Sequence, residues 1–183
     1  MKRLFALLLL FSGPLWAQSE TIPLGSRGKL TIYIGDNWKF EVADYTDRRI
    51  IAIKPRNDAN AECSLTILFP ETDRFDTKAR LKQRVEIEAM RYADQSVEGK
   101  AIGKPFDLKI GYGFRCDFTD PELVGKAPQK GNFKTISVGM IRLTPEVLVE
   151  VAINADGFNS GPYNELLGAI EGMEYTPGRS SSI

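Results

Sequence analysis

The sequence predicts an α+β domain with a single, mainly antiparallel sheet flanked by two main helices. Three observations predict it. Short alternating apolar runs, separated by Gly, Pro, Asn and Asp, fill Lys29 to Phe69. From Asp76 to about Gln95 there is no Gly or Pro, and apolar residues recur at helical spacing. Strand patterning resumes after Glu98-Gly99, and Pro162 opens a second helical pattern.

The elements follow in order. Gln18 to Arg27 reads as a polar, loosely held lead-in. Leu30, Ile32 and Ile34 mark a strand, and Gly35-Asp36-Asn37 a turn that delivers Trp38 to the next strand, Trp38 to Ala43. Arg49 to Lys54 and Ala59 to Phe69 continue an antiparallel run, closed by Pro55 and Pro70. In the first helix Leu81, Val85, Ala89 and Tyr92 form the buried stripe, with Asp76 as the expected N-cap. Ile87 and Met90 lie off that stripe; a covering loop is the leading expectation, with cover by the lead-in or a small exposed contact as the alternatives. Ala101 to Ile110 and Gly111 to Phe118 are strands, followed by a long polar loop, Thr119 to Asn132. Phe133 to Leu143 and Glu146 to Asn154 form the clearest hairpin, with Val147, Val149, Val151 and Ile153 on one face. The last helix buries Tyr163, Leu166, Leu167, Ile170 and Met173. The domain organisation is therefore a leader over 1–17, the lead-in over 18–27, one domain over 28–177 and a frayed tail over 178–183.

The leader is read from charge and length. Lys2 and Arg3 precede an unbroken apolar run from Leu4 to Phe11, and Ser12-Gly13-Pro14 breaks it before Ala17. That order is a secretory signal peptide cut near Ala17, because a membrane span needs about 20 apolar residues. A periplasmic or secreted protein is expected. Losing Lys2 and Arg3 turns the balance of 24 basic and 24 acidic residues into a slight acidic excess. Such a chain has no general attraction for nucleic acid.

Export gives the two cysteines a meaning. Cys63 shares a strand face with Leu65, Ile67 and Phe69, and Cys116 with Tyr112, Phe114 and Phe118. A Cys63–Cys116 disulfide is the expectation, stabilising by about 4 kcal/mol in the chain-entropy model. The alternative is two buried thiols that never meet, since Cα atoms beyond about 7 Å cannot be bridged.

Histidine is absent, which excludes Ser-His-Asp and Cys-His catalysis and His-containing zinc sites. Ser26-Arg-Gly-Lys29 matches a penicillin-enzyme motif by chance, since a strand and not a helix follows. Gly111-Tyr-Gly113 lacks the third glycine of a dinucleotide loop and serves close strand packing instead. Asp117, Asp120 and Glu122 are dense in carboxylate but lack the spacing of a calcium loop. Trp38 reads as a buried anchor in preference to a stacking platform. No cofactor or metal is expected.

The order of elements, with Gly35-Asp36-Asn37-Trp38 near the start, resembles the Mog1/PsbP-like family over about Gly28 to Met173. The resemblance implies an α/β/α sandwich, Mog1/PsbP-like, and an accessory or binding role. That family includes photosystem extrinsic subunits, a small-GTPase binder and secretion chaperones. It carries over no functional residue. The expected function is an exported, non-catalytic binding or assembly factor of the cell envelope, with another envelope or secreted protein as partner. Asp120, Glu122, Lys126 and Lys130 on the long loop are the candidate contacts. The alternatives are a small carboxylate-dependent hydrolase or ligand-processing enzyme using Asp117 and Asp120, and a self-associating structural protein.

Overall fold

The protein is described here by a computed structural model covering residues 18–178. The expected leader over 1–17, and the expected tail beyond Gly178, lie outside the described residues. Within the described residues, ten strands and two α-helices form in the order β1 (Gln18–Pro23), β2 (Gly28–Ile34), β3 (Trp38–Asp44), β4 (Arg48–Pro55), β5 (Ala61–Leu68), α1 (Lys78–Ala93), β6 (Lys104–Pro105), β7 (Tyr112–Thr119), β8 (Thr135–Thr144), β9 (Val147–Ala155), α2 (Gly161–Glu171) and β10 (Glu174–Pro177).

The strands build two sheets, one of seven in the order β3-β4-β5-β9-β8-β7-β6 and one of three in the order β1-β2-β10. This corrects the expected single sheet flanked by two helices. The cause lies at Gly35-Asp36-Asn37, which reads as a hairpin turn but is a corner. Past it β3 pairs with β4, while β2 pairs with β1 and β10 instead. Two of the small sheet's strands carry little signal. β1 is the supposedly loose lead-in, yet it is hydrogen-bonded along its length, and Ile22 with the following Leu24 is buried. β10 has only four residues. Ala101 to Ile110, expected as a strand, is irregular apart from the two residues of β6.

Alternation sorts the large sheet's side chains onto two faces. One face carries Ile51, Ile53, Leu65, Ile67, Val149, Val151 and Ile153 into the main core, which β2 and α2 close from above with Leu30, Ile32, Leu166 and Ile170. Ser160 caps α2 by accepting from the Tyr163 amide, and Pro162 follows in the first turn, where its missing N–H costs nothing. Trp38 belongs to this core and is 1% exposed, as the anchor reading requires. The opposite face is covered only in part. α1 lays Leu81, Val85 and Ala89 on Cys116, Phe118, Met140 and Leu148, over β7 and β8. Thr77, and not Asp76, caps α1; Asp76 instead pairs with Arg80 at 2.9 Å.

Gly113 earns its place on β7 because a Cβ there would lie 2.6 Å from Ile141 and 2.8 Å from the Met140 carbonyl. Gly111, two residues earlier, has φ +74°, a region L side chains avoid.

The expected Cys63–Cys116 disulfide is not formed; both residues are free and buried. The register explains why. Cys63 pairs with Ile153, Ile153 with Ser137, and Ser137 with Asp117. Cys116 is therefore three strands away, about 14 Å at roughly 4.8 Å per strand, and one residue out of step. That step turns it to the other face. Burial pushes both thiols up, that of Cys116 to about 11.

Candidate binding groove beside α1

Because α1 sits over β7 and β8, the face of β3, β4, β5 and part of β9 is left open beside it. A groove runs along that flank of the helix as three adjoining cavities that share lining residues. The first, of about 600 Å³, lies between Arg84, Glu88 and the Phe69–Phe75 segment. The second, of about 160 Å³, shares Glu88, Met140 and Glu150 with the first and has Ser64 and Thr66 in its floor. The third, of about 360 Å³, shares Arg91 and Tyr92 with the second and ends against Asp120 and Gly131–Lys134. The 16-residue helix makes the groove about 24 Å long. An extended segment of about seven residues spans it.

Each wall is held by specific contacts. At one end Arg142 grips Asp73 through both guanidinium nitrogens that face it, with Nε 3.0 Å from Oδ1. The guanidinium also holds the Asp73 carboxyl below its usual range. The Tyr112 hydroxyl donates to the Phe75 carbonyl at 2.5 Å. Together they fix the 73–75 segment that forms the outer wall. Midway, Arg84 pairs with Glu88 one turn on. Tyr92 stacks on Phe118 with centroids 5.8 Å apart, and Arg91 lies 4.9 Å from the Tyr92 ring.

Glu150 is the one carboxylate on the groove floor. It lies opposite Thr66 of β5 and Met140 of β8. Half-burial pushes its carboxyl above the ordinary value, and the neighbouring Glu88 pushes the same way, against Arg84, Arg91 and Arg48. The groove therefore carries charges of both signs, with an apolar floor at Leu68, Met140 and Leu148.

Of the loop residues singled out in the sequence, only Asp120 lines the far end of this groove. Asp120 caps a 3-10 turn, Pro121–Leu123, accepting from the Glu122 amide at 2.8 Å. Lys130 pairs with Asp58 at 2.9 Å, and Glu122 and Lys126 are exposed. Behind them Asn60 holds the loop. Its Nδ2 reaches the carbonyls of Gln129 and Asn132 and the Asp156 carboxylate, while its Oδ1 accepts from the Gly131 amide. Asn60 was not legible as a functional residue, and neither were Arg91 and Glu88. Glu150 did leave a signal: it is the lone acid inside the apolar run Val147 to Ile153.

Asp117 is turned away from the groove. It accepts from Ser137 at 2.6 Å, and Ser137 in turn meets the Tyr163 hydroxyl at 2.7 Å beneath α2. Lys104 binds its other oxygen at 2.9 Å. Asp117 and Asp120 thus have separate partners and share no cavity lining. Among the described residues no cluster of three or more His, Cys, Asp or Glu has the form of a metal site. None of the described helices is long and apolar enough to cross a membrane. No protein-family model matches the chain, and no curated protein matches it.

Proposed function

We propose that the protein is an exported, non-catalytic binding domain that takes an extended segment of another envelope or secreted protein into the groove beside α1. Export rests on Lys2-Arg3 and the apolar run after them. Binding rests on one observation above the others. The helix leaves half of a sheet face open, and three cavities adjoin one another along it over a peptide's length with both charge signs on their walls. The long loop then closes one end of the channel, so its exposed Glu122 and Lys126 meet the partner at the rim.

Ser64 is the place to test this, since it is exposed on the open face and lines the middle cavity. Ser64→Arg fills the channel without entering the core. Affinity capture from the envelope fraction of the source cells should lose its partner with Ser64→Arg and merely weaken when Glu122 and Lys126 are both changed to Ala. Unchanged capture by Ser64→Arg, with complete loss on deleting Lys126 to Lys130, moves the site from the groove to the loop.

A further inference from the structure

The large sheet has two edges, and they are finished differently. At the β7 edge, β6 pairs with Phe114 and Arg115, and the Phe106 amide donates to the Gly113 carbonyl. Farther along, the Val97 amide donates to the Thr119 carbonyl, and Glu98 accepts from the Thr119 amide. That edge is closed. The β3 edge is seven residues long and has no Gly, Pro or bulge.

The register says which groups β3 leaves outward. Arg56 donates to Asn37 and Tyr45 to Arg48, so the odd residues from Asn37 to Tyr45 bond inward to β4. The even ones point out. Of these, Trp38 is already used, its amide by the Gly35 carbonyl and its own carbonyl by Arg56 Nε. Phe40, Val42 and Asp44 remain, each offering one donor and one acceptor. This triplet is symmetric about Val42, whose side chain is 44% exposed.

We propose that β3 is a homodimer edge, on which a second copy of this chain pairs antiparallel through its own β3 about a twofold axis at Val42. In that register Val42 faces Val42 of the second copy, and Phe40 faces Asp44 in both directions. All six outward backbone groups of each strand are then satisfied. Lys39 faces Tyr45, a ring 58% exposed in the single chain, and a cation over a tyrosine face is attractive. Glu41 faces Ala43, and its charge is already answered within its own chain by Lys39 at 2.9 Å and Lys54 at 2.6 Å. A different register loses this match. Centring on Phe40 leaves Asp44 without a partner and sets Val42 against the occupied groups of Trp38. The inference stands on β3 alone and does not depend on the groove.

Sedimentation of the purified protein should show a reversible monomer–dimer equilibrium across the micromolar range. Val42→Pro removes only an outward N–H, which an edge strand tolerates, and should give a folded monomer at every concentration. Directly opposed residues in a hydrogen-bonded antiparallel pair have Cα atoms about 5.5 Å apart, within disulfide range. Val42→Cys should therefore cross-link to a covalent dimer under mild oxidation, while Glu41→Cys, offset from its own copy, should not. A monomer throughout, with no cross-link from Val42→Cys, overturns the proposal. So does a dimer that Val42→Pro leaves intact, or equal cross-linking at both positions.

Discussion

Trp38 Nε1 donates to Glu165 Oε2 at 2.6 Å, tying the first residue of β3 to α2 across the main core. The corner after β2 thereby gains a fixed endpoint. Trp38→Phe keeps a ring in the core but loses this bond to a charged acceptor, and is expected to cost about 1.5 kcal/mol in urea unfolding. Trp38→Ala, which also opens a cavity, should cost about 3–5 kcal/mol. The decisive measurement is a double-mutant cycle with Glu165→Leu. If Trp38→Phe costs the same in both backgrounds, the indole–carboxylate bond contributes nothing.

The separation of the cysteines makes a chemical prediction. A thiol reagent added to the native protein should label neither Cys63 nor Cys116, because both are buried and both thiols are held protonated. Denaturant should release two reactive thiols, even from protein purified under oxidising conditions. A linked Cys63–Cys116 peptide in a non-reducing digest is incompatible with the strand order.

Glu150 gives the fold a pH dependence of definite sign. Its carboxyl titrates above the ordinary 4.5 in the folded protein, so its contribution is complete below that value and is lost as pH rises through the folded one. Relative to Glu150→Gln, the native protein should lose stability as pH is raised from about 4 to about 7. Urea midpoints at several pH values check this. A stability difference, native minus Glu150→Gln, that rises with pH contradicts the burial assigned to Glu150.

Asn60 predicts where the chain becomes cleavable. Its four contacts to 129–132 and Asp156 replace the regular hydrogen bonds that loop lacks. Asn60→Ala should cost about 1–3 kcal/mol and speed tryptic cutting after Lys126 or Lys130, with the rest of the domain intact. Mass spectrometry of the first fragments reads the outcome. Cutting that begins in α1 instead places the weak point elsewhere.

Legibility followed the length and regularity of each pattern. β8 and β9 were readable because nine or ten residues alternate and a tight turn joins them, and α1 and α2 because their stripes are long and their starts are marked. β10 was not, since four residues with Pro177 read as an ending. β1 was hidden because its inner face carries Gln18 and Glu20 before Ile22, the one buried residue of the strand, so no apolar alternation shows. The tight turn after Ile34 did not reveal that the chain changes sheets there. Ile87 and Met90, expected under a loop, are 55% and 60% exposed; no feature of a helix pattern tells which off-stripe residue a distant loop will reach. The disulfide failed for a related reason. Alternation shows that a residue faces inward, but a sheet with cores on both faces has two insides. The groove was the least legible feature, because Arg84 and Glu88 are ordinary helix-surface charges until α1 is placed over one half of the sheet, and Glu150 alone stands out in its run.

The small sheet holds β2 between β1, immediately before it, and β10, more than a hundred residues later. A chain growing from its N-terminus can form the first of these pairings early and must wait for the second until Pro177 has been made. Through that interval Leu30 and Ile32 lie beside an open strand edge, with no α2 above the large sheet to receive them. The last four-residue strand works as a clasp, and removing it should lengthen the exposure that a folding helper, or an aggregating neighbour, has time to exploit.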